Sequence, residues 1–408
     1  MKRTMVTAGV MVLVLSAFAF GGGQKEQSAT PGVTADQILV GYTMPMSGPL
    51  GYIGSQTAYG IEAVFKKYND EGGIYGRKLK LITYDSGMDA AQALANYRKL
   101  VLEDHVFCVL FGFSNFVRPA YPFLSEHKVP WLFPMAPPED MIFPAHKYLF
   151  SLFETTGTQV KVMAKWIVEQ GRYKRLGVVY GDSASGQTGL EALKKAIEGT
   201  SVQLVAAEAI KNDAVSAAVQ VAKLSQAKPD MVVIIGMVHA PAALTVKEIK
   251  KVGLKTDIML GMPISGRIIL QMLKGTDVNG LYGAWWGAVQ WPSSASTETA
   301  QMKAMRELLW KDYPNVWKPN DPESNVGGTV EHALSVEVFV HALKLAGKNL
   351  TREGLMKALE SLKNYDTGKG STATFSPTRH EGVDGGYILK VVNGDWTADS
   401  NWIDLGLK

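Results

Sequence analysis

The sequence predicts an α/β protein of two lobes, each a doubly wound parallel sheet. Three observations carry this. At 408 residues the chain is longer than one hydrophobic core usually organises. Strand-like and helix-like segments alternate from Ile38 to about Gly283, and such alternation implies parallel strands with helices on both faces. The stretch from Ile38 to Ser86 reads as a βαβ unit. Its first loop lies at the carboxyl edge of the first strand, where open parallel sheets bind ligands.

The elements follow in order. Ile38, Val40 and Tyr42 belong to a short apolar run that suits a buried strand. The run from Met44 to Leu50 is rich in proline and glycine and breaks regular structure. A helix is expected from Gly54 to Asn69, with Ile61, Val64, Phe65 and Tyr68 on one face. Gly72, Gly73 and Gly76 end it, because glycine tolerates positive φ. Further strands are expected over 79–84, 107–111, 176–179, 202–207, 231–235, 258–260 and 280–284. Further helices are expected over 90–102, 116–126, 160–169, 189–197, 215–224, 242–252, 297–310, 328–346 and 352–361.

Composition bounds the function. Apolar content of 46%, charged content of 20% and a net charge of +4 are ordinary globular values and give no reason to expect nucleic acid. Lys2 and Arg3 followed by the apolar run from Val10 to Phe20 read as a signal peptide over 1–23, with Ala17-Phe18-Ala19 at the cleavage site. Residues 24–36 are expected to be a flexible mature N-terminus. Gly21-Gly22-Gly23 stands where a lipoprotein would need a cysteine, so a periplasmic protein is expected. Cys108 is the single cysteine. It falls in an apolar run and reads as a small buried side chain rather than a reactive thiol.

The sequence offers little for metal, nucleophilic or phosphate chemistry. The histidines form no HExxH or Cys/His cluster, so no metal and no cofactor is expected. His239 sits at a strand-to-helix loop, either hydrogen-bonded locally or facing a cleft. The stretch from Gly181 to Gly186 has the context of a nucleophile elbow around Ser183, but its last glycine is Ser185. Capping of the next helix, or hydrogen bonding to a ligand, suits these serines better, and no catalysis is expected. Phosphate-binding glycine motifs are absent. Phe113, Ser114 and Asn115 leave a buried strand and open a helix, where free N–H groups and side-chain donors favour an anion. Simple helix capping is the alternative there.

Pro45-Met46-Ser47-Gly48-Pro49, the helix from Gly54, Glu71-Gly72-Gly73-Ile74, the strand end at Tyr84-Asp85 and the run from Val252 to Thr256 together resemble the leucine/isoleucine/valine-binding proteins. These are periplasmic solute-binding proteins of ABC transporters with the type I periplasmic-binding-protein fold, and the resemblance covers most of the mature chain. It implies two lobes joined by three crossing strands. The first lobe would comprise 37–154 and 285–377, and the second 155–284 and 378–408. It also implies a monomer that captures a small-molecule ligand, an organic acid or amino acid, between the lobes and delivers it to ABC permease subunits.

Departures from the family pattern bear on the ligand. The family's Ser-Pro-Gly-Ala-Thr loop, which holds the ligand's carboxylate and amine, corresponds to the stretch from Phe133 to Pro138. Ala136 is kept there, and Pro137 replaces the threonine. Met262 or Pro263 replaces the glutamate that pairs with the ligand ammonium, and Ser185 replaces a ligand-packing tyrosine. A ligand with an apolar body, a carboxylate and no α-amine is therefore expected. Tyr52, Phe113, Phe116, Trp285 and Trp286 would pack its body, although the tryptophans equally suit the hinge. Arg267 is a candidate fork for the carboxylate. If an amine is bound after all, Glu154 and Asp182 are the candidate partners. Weaker similarity around Val117-Arg118-Pro119 points to relatives that bind aromatic acids. Branched-chain or aromatic amino acids, and then short amides, are the alternative ligands. A serine hydrolase and a receptor sensing domain are the rival functions.

Overall fold

The computed structural model describes residues 30–48, 51–262, 264–290, 293, 295–319, 321 and 327–406. The expected signal peptide and Pro263 lie outside the described residues.

The first half-lobe is β1 (Gln37–Met44), α1 (Gly51–Asp70), β2 (Lys78–Asp85), α2 (Ala90–Leu102), β3 (Cys108–Leu110), α3 (Ser114–Glu126), β4 (Trp131–Leu132) and β5 (Leu149–Phe150). Its sheet runs β2-β1-β3-β4-β5 with every pairing parallel. β1 lies inside the sheet between β2 and β3, which explains why Ile38, Val40, Tyr42 and Met44 are all fully buried. α2 begins where Asp89 accepts the N–H of Gln92 at 2.7 Å, an ordinary side-chain cap. α1 starts at Gly51, three residues before the expected Gly54.

The chain then crosses to a second sheet through α4 (Thr156–Glu169), β6 (Arg175–Gly181), α5 (Ala184–Ile197), β7 (Gln203–Ile210), α6 (Ala218–Ala227), β8 (Met231–Ile235), α7 (His239–Lys251), β9 (Asp257–Leu260), α8 (Arg267–Met272) and β10 (Tyr282–Trp285). Two apolar clusters sandwich this sheet: α4 and α5 pack on one face, α6, α7 and α8 on the other. α6 begins three residues later than expected at 215. Val215 and Val219 point to solvent, so the apolar spacing there misplaces the helix start.

Next come α9 (Ala300–Asp312), α10 (Gly327–Ala346), α11 (Arg352–Glu360), β11 (Tyr365–Asp366) and β12 (Thr372–Ala373). The helices bury Met302, Leu309, Phe339 and Leu355 in the core of the first sheet. The chain finally re-joins the second sheet through β13 (Gly385–Val392), β14 (Asp395–Ala398) and β15 (Ile403–Asp404). This sheet is therefore not wholly parallel. β13 pairs antiparallel with β10 and carries β14 and β15, also antiparallel. The path between the sheets is thus crossed after β5, after β10 and after β12. The crossings are laced together: Ser151 N–H donates to His380 O at 2.8 Å, and Ala288 N–H to Lys369 O at 2.9 Å. Cys108 is buried, and desolvation raises its thiol well above the ordinary range.

Candidate functional site

Two loops at the carboxyl edge of the first sheet turn through left-handed backbone. Phe111 follows β3 at φ 56°, Phe133 follows β4 at φ 64°, and Ala136 lies beyond it at φ 42°. Such conformations are costly for side-chain-bearing residues and cluster at functional sites. They aim the start of α3 and the loop after β4 at a cavity of about 710 Å³ between the two sheets. That volume lies in the range of small-molecule pockets, ~300–1,000 Å³. Its walls are mostly apolar.

Tyr52, Phe113, Ser114, Asn115 and Ala136 line the cavity from the first sheet's side, and Ser185, His239 and Arg267 from the second. Trp285 and Trp286 line it from the crossing after β10. Met262 also lines it, whereas Pro137 is buried outside the lining. Phe116 is wholly buried and packs its ring 6.1 Å from that of Phe113, so it supports the wall rather than forming it.

Ser114 is not a cap. Phe113 occupies the N-cap position of α3 with no side-chain hydrogen bond. Among the described residues, neither the Ser114 hydroxyl nor the Asn115 amide bonds to protein, and both face the cavity's rim. Ser183, in contrast, is the N-cap of α5. Its hydroxyl accepts from Gly186 N–H at 3.2 Å and donates to Gly236 O at 3.3 Å. Its backbone is extended, not strained, which removes the geometry an elbow nucleophile needs. The Ser185 hydroxyl shares a 3.0 Å hydrogen bond with that of Thr156. Arg267 opens α8 and stands 3.9 Å from Asp395, with its Nε unpartnered.

Trp285 and Trp286 stack with centroids 4.4 Å apart. Both indole N–H groups donate to Glu331, at 3.0 and 2.6 Å, and Gln290 adds a third donor. The tryptophans thus line the cavity and brace the crossing at once. Glu331 is buried, and desolvation raises its carboxyl to about 7 against the pull of Lys369 and its three donors. Sequence reasoning missed Glu331. Nothing in the pattern of α10 separates it from Glu337 in the same helix.

Of the two reserve carboxylates, Asp182 is exposed and off the cavity. Glu154 lines the cavity, is wholly buried, and has no hydrogen-bond partner for either oxygen among the described residues. Neighbouring Glu381 differs: its oxygens accept from Thr155 N–H at 2.6 Å and the Thr158 hydroxyl at 2.9 Å. No group of metal-ligating side chains occurs among the described residues.

Two doubly wound lobes, three crossings and an apolar cavity between them define a solute-binding protein of the type I periplasmic fold. A family model described as periplasmic binding protein matches residues 37–395, and the chain belongs to that family. The Leu/Ile/Val/Thr-binding protein of Salmonella typhimurium is 25% identical over 69% of this chain and 73% of its own. Leu/Ile/Val-binding protein homolog 1 of Brucella abortus is 25% identical over 90% of each. Among solved structures, a fatty acid ABC transporter substrate-binding protein from Thermomonospora curvata superposes with TM-score 0.77 at 23% identity, covering 92% of this chain and 95% of that one. A branched chain amino acid ABC transporter from Thermus thermophilus with bound valine gives 0.76 at 18%, covering 91% and 97%. Members of this family are extracytoplasmic binding proteins. No helix among the described residues is long and apolar enough to cross a membrane.

Proposed function

We propose that this protein is a periplasmic, monomeric receptor that captures a small carboxylate-bearing ligand with an apolar body and presents it to an ABC permease. The observation that carries this is the open start of α3. Ser114 and Asn115 offer unused donors beside free helical N–H groups, at the edge of a mostly apolar cavity. Arg267 can approach the same space from the other lobe. The relatives named for branched-chain amino acids and for fatty acids have in common a carboxylate on an apolar body. A second reading, an α-amino acid, is favoured by one feature: Glu154 borders the cavity, and its buried carboxyl has no side-chain or backbone hydrogen bond among the described residues.

A thermal-shift and calorimetry series with leucine, phenylalanine and their amine-free counterparts isocaproate and hydrocinnamate separates the readings. The acids should bind more tightly. An acid at about 100 times its dissociation constant should stabilise the fold by ~2.7 kcal/mol. Stabilisation by leucine or phenylalanine without any by the acids would replace the first reading with the second.

A further inference from the structure

Glu154 lies in the crossing after β5, beside Phe153, whose ring also lines the cavity. Three charged groups act on its carboxyl: Lys369 from the turn between β11 and β12, Glu331 from α10, and Glu381 from the crossing after β12. His332, the next residue on α10, is held neutral, its pKa pushed down to about 3 by burial and by Lys369. Beyond Glu381 stands Arg379, which pairs with Asp384 at 3.3 Å. Glu331 already has three N–H donors and Glu381 has two donors. Glu154 has no donor from any other described residue, and no water-exposed surface.

An ionised carboxylate so placed would lose more hydration than its own backbone N–H and Lys369 restore, so the group takes a proton instead. Desolvation drives its pKa well above the usual carboxylate range, with its own backbone N–H and Lys369 opposing and the two other glutamates reinforcing. A neutral carboxyl has one O–H to donate, and no acceptor for it occurs among the described residues. We propose that Glu154 is a specificity-determining ligand contact that works as a neutral acid, donating its O–H to the carboxylate of an amine-free ligand. The O–H···O⁻ bond so formed is of the short, charge-assisted kind. The proposal rests on the carboxylate-ligand reading above and narrows it.

Geometry favours an anion over an ammonium at this point. The Lys369 Nζ stands 5.1 Å over the Phe153 ring, one residue from Glu154, and is itself buried. Burial lowers the Lys369 pKa against the pull of Glu331 and Glu154; in its charged form it attracts an incoming carboxylate and repels an incoming ammonium, and Glu331 and Glu381 oppose it to the extent that they are ionised. The same arrangement gives a reason for amine discrimination that does not depend on Pro137 or Pro263.

The test compares Glu154→Gln and Glu154→Ala with the wild type, using isocaproate, hydrocinnamate, leucine and phenylalanine as probes. Glutamine keeps a donor and should retain acid affinity within about threefold, whereas alanine should lose about tenfold or more. Wild-type affinity for the acids should stay level or fall with rising pH, by up to about tenfold per unit once Glu154 ionises. Calorimetry in buffers of different ionisation enthalpy should detect no proton release on binding. Glu331→Gln should leave that pH response in place, which separates Glu154 from its titrating neighbour. Independently of any ligand, the infrared band of a protonated carboxyl should be present in the wild type and diminished in Glu154→Gln. The proposal is overturned by unchanged acid binding in Glu154→Ala, or by a carboxyl band that Glu154→Gln leaves intact. It is also overturned if leucine binds with proton release, gains affinity as pH rises and is lost in Glu154→Gln. A wild type that binds none of the four probes but keeps the Glu154 band would instead sink the carboxylate-ligand reading on its own.

Discussion

Ser114 opens α3 without capping it, and this separates two roles that its sequence position left open. A capping serine would be worth ~1 kcal/mol to the fold. Here the hydroxyl has no partner among the described residues, so Ser114→Ala should leave a denaturant melt within about 0.5 kcal/mol of wild type. A hydrogen bond to a charged group contributes roughly 1.5–3 kcal/mol, so affinity for the acid should fall about tenfold or more. Calorimetric titration beside the melt reads both. A clear loss of stability with unchanged affinity would return Ser114 to the role of cap. At this scale the sequence was informative wherever a residue's chemistry was unusual for its element. Ser114 and Arg267 stood out as polar groups opening helices, and Trp285 as an aromatic group at a strand end. Glu331 did not, because its partners Trp285, Trp286 and Gln290 lie more than forty residues away in the chain.

At the scale of elements, the glycines around Ser183 take on a meaning the motif did not suggest. Gly181, Gly186 and Gly236 bring the loop after β6 against the loop after β8. A Cβ on Gly186 would lie 1.9 Å from Gly181 O, and one on Gly181 would lie 2.1 Å from Gly236 O. The apparent nucleophile elbow is thus a close crossing of two loops that both border the cavity. Gly186→Ala should destabilise the fold by ~1–3 kcal/mol through overpacking against backbone and should also weaken binding, since Ser185 and His239 flank the contact. A thermal melt indistinguishable from wild type would contradict this.

Element types followed from periodicity where runs were long. α2 and β8 begin and end where the sequence places them. β4, β5, β11 and β12 are two residues each, too short for any period to register. The antiparallel join of β13 to β10 depends on tertiary pairing, which local pattern does not encode.

For the whole molecule, a contact spans the cleft. Glu139, in the short turn after β4, reaches across to α4 of the other lobe and meets Lys161 at 3.3 Å. Its carboxylate fills the space that a side chain on Gly157 would need, at the N-terminal turn of the same helix. That end of a helix favours an anion. The pair is partly exposed, so its worth is at most about 1 kcal/mol. Lys161→Met removes it without touching the cavity lining. The variant should bind the acid about two- to fivefold more weakly, with the change in the dissociation rate. Small-angle scattering of the ligand-free variant should show a more open molecule. Equal dissociation rates would mean that the contact does not hold the lobes together.

The crossings also decide when, during synthesis, either lobe can become complete. The first sheet is finished once β5 emerges, but the helices that cover its core, α9 to α11, follow only after the whole of the second sheet's parallel part. That second sheet in turn waits for β13, β14 and β15 to close its β10 side. Neither half can therefore mature on the ribosome ahead of the other, and final folding is deferred until almost the entire polypeptide has been released. A chain so ordered stays unfinished for as long as its last strands are withheld, and that is the state in which a polypeptide can still be threaded through a narrow channel.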